Sequence, residues 1–370
     1  MGGLLRRIGA RFRALLGSDA ASVRQGLAAL LVSSGGDLLA GLTLGAITHT
    51  LEALPGLLVL IPAAIGMRGN IFGALGSRLG TAIHTGTFSL SRRADTVVGQ
   101  NVLASIALTF SISFALAVLA KAIAVAFGVA GTISVVDFAV ISVVGGVISS
   151  VVVLAITLGV AALSVRRGWD MDNVSAPLVT AAGDMVTLPS LFLATYLVGV
   201  RVVTPVLGLT TVILAVASVV AAFGTGHQLL RRIVRESLPV LLLAGAVDVV
   251  AGLTIQQRID SFLTFPALLV LIPPFLEDTG ALGAILASRL ASKLHLGVID
   301  PTAAPQRPAR DDFVLIALLS VPVFVLVALS ADLASTVFQR ASPGARDNPL
   351  RPLGHGYWEA PRGIRTWRAL

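Results

Sequence analysis

Apolar residues run along this chain in blocks of 18 or more, separated by short clusters of Arg, Pro and Gly. A block of that length crosses a hydrocarbon core of about 30 Å as a helix. In lipid only helices and closed barrels satisfy every backbone group, and the short alternating segments of barrel strands are missing here. The pattern predicts an all-α polytopic membrane protein. Nine spans are expected, at about 26–50, 55–84, 100–128, 134–164, 175–199, 203–223, 236–257, 265–295 and 311–338. The second is expected to loosen near Gly66 and Gly69.

The same pattern occurs twice. Shifting the chain by about 211 positions aligns Arg24 to Gly86 with Arg235 to Gly297 without a gap, and roughly 23 of those 63 positions are identical. Asp37 pairs with Asp248, Gly41 with Gly252, Thr43 with Thr254, Pro62 with Pro273, Arg78 with Arg289 and His84 with His295. Leucines can coincide by composition; Asp, Pro, Gly, Arg and His in one register point to duplication. Five spans per copy would invert the second copy, and the extra sixth span restores its direction. Two parallel repeats joined by a linking helix are therefore expected, related by an axis along the membrane normal.

Charge sets the orientation. Only 12% of residues are charged and 55% are apolar, against about 25% charged in a soluble domain. The net charge is +8, carried by Arg with Lys only at Lys121 and Lys293. These cations lie between the apolar blocks, which argues against nucleic acid and for the positive-inside rule. With the amino terminus cytoplasmic, Arg24, Arg78, Arg92, Arg93, Arg166, Arg167, Arg231, Arg232, Arg235, Arg289, Lys293, Arg307 and Arg310 fall inside, and only Arg201 and Arg258 outside. Lys121 reaches the outer interface on its long stem. No cysteine is present, which excludes disulfides and thiolate metal sites.

Five segments follow from this reading: 1–25, a basic amphipathic interfacial helix; 26–200, the first repeat; 201–235, the linking helix and a cytoplasmic loop; 236–340, a second, incomplete repeat; and 341–370, a polar tail. Two readings of the tail stand, a natural polar end and a truncated or frame-shifted one, because the fourth and fifth spans do not recur.

Three acids fall near mid-membrane depth: Asp37, Asp184 and Asp248 lie about 10 to 12 residues into their spans at 1.5 Å per residue. Such groups are costly in lipid and mark ion paths. Around them the first and fifth spans are rich in Gly, Ser, Thr and Ala, among them Thr180. Small residues serve helix packing, and they also expose oxygens that suit a hard cation. Without Cys and with scattered His, soft-metal ligation is disfavoured. His84 and His295 read as interfacial anchors, and Glu277 and Asp278 as groups facing water at the inner mouth. Asn173-Val-Ser175 matches a glycosylation acceptor on the wrong side of the membrane.

The segments PAAIGMRGNIFGALGSRL, 62–79, and DNVSAPLVTAAGDMVT, 172–187, resemble the signature regions of the MgtE-type magnesium transporters and their two-repeat solute-carrier relatives. The resemblance covers about 24–338. It implies a helical pore whose second and fifth helices line the path. Asp184 would contribute to a central Mg2+ site, with Asn70 and Gly69 carried over from the first motif. The chain departs from the pattern at Ala176, where Asn is common, and at Ala281, the counterpart of Asn70. It also lacks a second-copy partner for Asp184, and no sensor module precedes the first span.

The expectation is transport of a divalent cation, Mg2+ above others, past Asp184, Asp37, Asp248, Thr180, Asn70 and Gly69. Mg2+ is cargo, no cofactor is expected, and the partners are the lipid bilayer and, in one arrangement, a second copy as a homodimer. The expected location is the plasma membrane. An inactive scaffold pairing with a complete transporter, and a proton- or Na+-coupled exchanger, are the alternatives. An intramembrane enzyme would need a nucleophile and base at one depth, and the embedded Ser, His and Asp form no such set.

Overall fold

The computed structural model describes residues 20–91, 93–167, 171–264, 266–295, 297–302 and 304–341. The segment up to residue 19, expected as an amphipathic helix, Arg92 and the tail from 342 lie outside the described residues, as do the side chains of Asn173, Ser175, Ala176 and His295.

Every described element is a helix: α1 Ala20–Ala46, α2 Thr48–Ala53, α3 Leu57–His84, α4 Val97–Ala126, α5 Val135–Arg167, α6 Met171–Thr195, α7 Val203–Gly224, α8 Gln228–Gln256, α9 Ile259–Thr264, α10 Pro266–His295 and α11 Arg307–Ala341. Seven of them (α3 to α8 and α11) contain a stretch long and apolar enough to cross a membrane. Helices α1 and α10 are 27 and 30 residues long and carry the acids Asp37, Glu277 and Asp278. Boundaries are set by local chemistry. Thr96 accepts from the Gly99 amide at 3.0 Å to start α4. Ser134 and Asp137 exchange backbone and side-chain bonds of 3.1 Å to start α5, a capping box. Gly56, at φ 92°, makes the left-handed turn into α3 that a Cβ would strain.

Helix α3 is the axis of the core. It is continuous through Gly66 and Gly69, which corrects the expected loosening: those glycines give room to Asp248 and Thr180 on neighbouring helices. Helix α8 shows how sides are allotted. Leu241, Gly245, Val249 and Gly252 are buried, whereas Val240, Leu243, Val247 and Val250 form an exposed stripe suited to lipid.

Several residue pairs 211 positions apart in sequence make similar contacts. Helix α1 packs on α10, and α8 packs on α3. A Cβ on Gly41 would strike the carbonyl oxygen of Val270, and one on its counterpart Gly252 would stand 2.5 Å from that of Val59, the counterpart of Val270. Arg78 Nε donates to Asn101 Oδ1 at 2.7 Å, and Arg289 Nε donates to Asp312 Oδ1 at 2.9 Å. Both pairs are 23 residues apart. In the second copy Lys293 Nζ also lies 2.6 Å from Asp312 Oδ2. The short helices α2 and α9 occupy matching positions, 211 residues apart.

Arg68, at mid-length in α3, is only 1% exposed. Its guanidinium donates to Ser113 Oγ on α4 at 2.7 Å and to Ser150 Oγ on α5 at 3.0 Å, and its Nε has no partner among the described residues. A buried charge held by hydroxyls depends on each of them, since a hydrogen bond to an ionised group is worth about 1.5–3 kcal/mol. Ser113→Ala with Ser150→Ala should therefore lower stability by about 3 kcal/mol or more in thermal unfolding of the purified protein. Arg68→Met, which removes the charge itself, should cost less.

Candidate functional site

The acids stand on four helices: Asp37 on α1, Asp184 on α6, Asp248 on α8, and Glu277 with Asp278 on α10. Helix α1 lies against α6 and α10, and α3 lies against α6 and α8. Close approach is permitted by small residues. A Cβ on Gly36 would stand 3.2 Å from the Ala181 carbonyl oxygen, and one on Gly69 would stand 3.4 Å from Thr180 Cγ2.

This packing brings Asp37 and Asp184 together. Both are fully buried, their carboxyl groups lie within hydrogen-bonding reach of each other, and none of the four oxygens has a hydrogen-bond partner among the described residues. Orphaned buried carboxylates are rare because each costs its full desolvation. Asp278, 1% exposed, accepts from Ser34 Oγ at 2.9 and 3.0 Å. Glu277 is half-buried and within Coulombic range of Asp37, Asp184 and Asp248. Among the described residues no Lys, Arg or His forms an ion pair with any of the five.

Glu277 and Asp278 are thus not at the inner mouth. They lie in the middle of α10, which runs unbroken past Pro273 and Pro274, so the second copy carries two carboxylates where the first has Gly66 and Met67. Asp248 is half-buried, and its Oδ2 lies 3.0 Å from where a Cβ on Gly66 would be. Thr180 and Gly69 are half-buried against each other, while Asn70 is exposed on α3. His84 is exposed in the last turn of α3.

Sequence reasoning missed Arg68 and misplaced Glu277 and Asp278. Counting residues into each span places all three near the depth of the other acids. Among the described residues no three acidic or histidine side chains converge to enclose one ion. The arrangement suits an ion that keeps part of its water shell and meets one or two carboxylates at a time, as Mg2+ does.

Residues 61–194 match the family model of MgtE, described as a divalent cation transporter. The chain is 27% identical over 295 residues to solute carrier family 41 member 2 of Xenopus laevis, covering 75% of this chain and 51% of that protein. Against the Homo sapiens member 2 the identity is 26% over 297 residues, with 76% and 50% covered. Against member 3 of Rattus norvegicus it is 26% over 281 residues, with 72% and 59% covered. The chain spans about half the length of the curated relatives it matches. No solved structure matches.

Proposed function

We propose, on the premise that residues 61–194 are an MgtE-type membrane segment, that this protein moves a divalent cation, Mg2+ foremost, through a path lined by Asp37, Asp184 and Asp248. The observation that carries the reading is the Asp37–Asp184 pair: two fully buried carboxyls from separate helices, close to each other with no cationic side chain paired to either among the described residues. A cation is the natural complement of that pair. Thr180 and the α3 backbone at Gly69 stand beside it as oxygen sources, and Asn70 is a contact made on the way in or out.

The reading includes nine spans, with α1 and α10 crossing once their acids face the path. It also includes two parallel repeats with the segment boundaries given above, a cytoplasmic amino terminus, the plasma membrane, and assembly of two copies. The reciprocal contacts of Gly41 and Gly252, and of Arg78 and Arg289, support the parallel axis. Positioning of an ion, rather than a chemical reaction, is what the site offers.

Uptake of Mg2+ into proteoliposomes holding the purified chain tests the proposal. An interior-negative potential favours a divalent ion by about 4.6 kcal/mol per 100 mV, a more than thousandfold accumulation at equilibrium. Uptake should rise with imposed potential and be inhibited by Mn2+ and Co2+ more than by Ca2+. A protein that never admits Mg2+ at any potential is a scaffold. One observation favours coupled exchange as a second reading: Glu277 and Asp278 bring the cluster to five carboxylates, more charge than one Mg2+ balances. Uptake driven by an opposing proton or Na+ gradient at zero potential would establish it.

A further inference from the structure

At the end of the bundle where α4 and α8 terminate, a cavity of about 430 Å³ opens between the two short helices and the α4–α5 loop. Glu52 of α2, Asp260 of α9 and Gln256, the last residue of α8, line it. Three features give it one electrical character. Two carboxylates face the same space, and Glu52 lies 3.8 Å from His49 Nδ1. The carboxyl-terminal ends of α4 and α8 converge there, and such ends carry about half a negative charge each. Gln256 is 7% exposed, yet its Oε1 has no hydrogen-bond partner among the described residues. A buried acceptor without a donor, at the wall of a negative cavity, asks for a cation or a cation's water.

The size fits a hydrated ion. At about 30 Å³ per water the space holds a Mg2+ with its first shell and several waters more. Its position fits as well. Asp248, Gly252 and Gln256 follow at intervals of four along one face of α8, so the cavity floor lies about 12 Å along the helix from Asp248. Between them α8 is pressed on α3 at Gly252, where a Cβ would stand 2.5 Å from the Val59 oxygen and 2.7 Å from that of Leu58. The polar groups have no twin in the repeat: the counterparts of Gln256, Asp260 and Glu52 are Gly45, His49 and Leu263. The cavity is one-sided, which comparison of the two copies alone would not reveal.

We propose that this cavity is a second cation site, an outer antechamber where a hydrated divalent cation is held by Glu52, Asp260 and Gln256 before it passes the α3–α8 contact. Its place on the path rests on the transport reading above; its capacity to bind does not.

Mn2+ titration of the purified full-length chain, followed by electron paramagnetic resonance with Mg2+ as competitor, tests it. The double variant Glu52→Gln, Asp260→Asn should weaken one Mn2+ by at least tenfold, whereas Asp184→Asn keeps that ion. Gln256→Glu should tighten it severalfold, an outcome that a misfolded protein does not produce. The loss should be largest at low ionic strength, because exposed charges act through a screened field. In proteoliposomes the double variant should raise the half-saturating Mg2+ concentration about fivefold at low salt. Mn2+ stoichiometry and affinity unchanged in both the double variant and Gln256→Glu would overturn the site. Absence of Mg2+ uptake by the wild-type chain, with the Mn2+ site still lost in the double variant, would sink the transport reading and leave the site standing.

Discussion

Mg2+ uptake by the Asp184→Asn protein should fall to that of protein-free liposomes, and Asp37→Asn should do the same. Asparagine keeps the shape and one oxygen but removes the charge that compensates an ion stripped of some water in a region of low dielectric. The stability of each variant should move the other way. Two buried carboxyls face each other without a donor in the wild type, and an amide at one position can donate to the acid at the other. A gain of about 1–3 kcal/mol is expected, seen as a rise of several degrees in thermal unfolding without Mg2+. Mg2+ should raise the wild-type midpoint, because it binds the folded state, and should lose much of that effect in either variant. Wild-type flux through Asp184→Asn would remove the pair from the path. A fall in both flux and stability would mean that the carboxyl supports the fold instead.

Gly41→Ala should be among the most damaging single methyls at the described glycines. The added Cβ would meet the Val270 carbonyl oxygen, a backbone atom of α10 that cannot rotate aside, so α1 and α10 would have to separate. Overpacking commonly costs about 1–3 kcal/mol and occasionally more; a backbone clash belongs at the upper end, about 3 kcal/mol or beyond. Gly252→Ala repeats the insult between α8 and α3, with 2.5 Å to the Val59 oxygen. Gly35→Ala is the control, since a Cβ there meets nothing within 4 Å. Helix propensity then favours Ala by up to about 1 kcal/mol. Thermal unfolding and the monodisperse yield of the three variants in one detergent measure the contrast. Equal behaviour of Gly35→Ala and Gly41→Ala would contradict the close α1–α10 approach.

The repeat register is the part of this architecture most readable from sequence. A shift of 211 pairs Gly41 with Gly252 and Arg78 with Arg289; each of the two glycines lies against a backbone carbonyl, and each arginine Nε donates to a side chain 23 residues on. Helix ends were legible to a few residues wherever a cap or a left-handed glycine marks them, as at Thr96, Ser134 and Gly56. Depth set Asp37, Asp184 and Asp248 at one level without saying which would meet; the packing of α1 on α6 brings Asp37 beside Asp184. What escaped was set by partners distant in sequence. Gly66 and Gly69 look like helix breakers alone, and become contact surfaces only once Asp248 and Thr180 are beside them. Arg68 has no evident role within an apolar span until Ser113 and Ser150 arrive from other helices. Glu277 and Asp278 align with Gly66 and Met67, so the sequence alone set them apart from the other acids and at the inner mouth.

Arg68 also constrains how the chain can be made. The helix that carries it leaves the ribosome before the two that supply its hydroxyl partners, so at the moment of lipid entry the guanidinium has nothing to bind. Insertion at the centre of a helix costs about 2.5–3.5 kcal/mol for such a residue, and the highly apolar stretch from Leu57 to Ile65 offsets it. An ordered biogenesis is the expected consequence: were α3 held at the translocon until α4 and α5 follow, Ser113 and Ser150 would meet the guanidinium before lipid does.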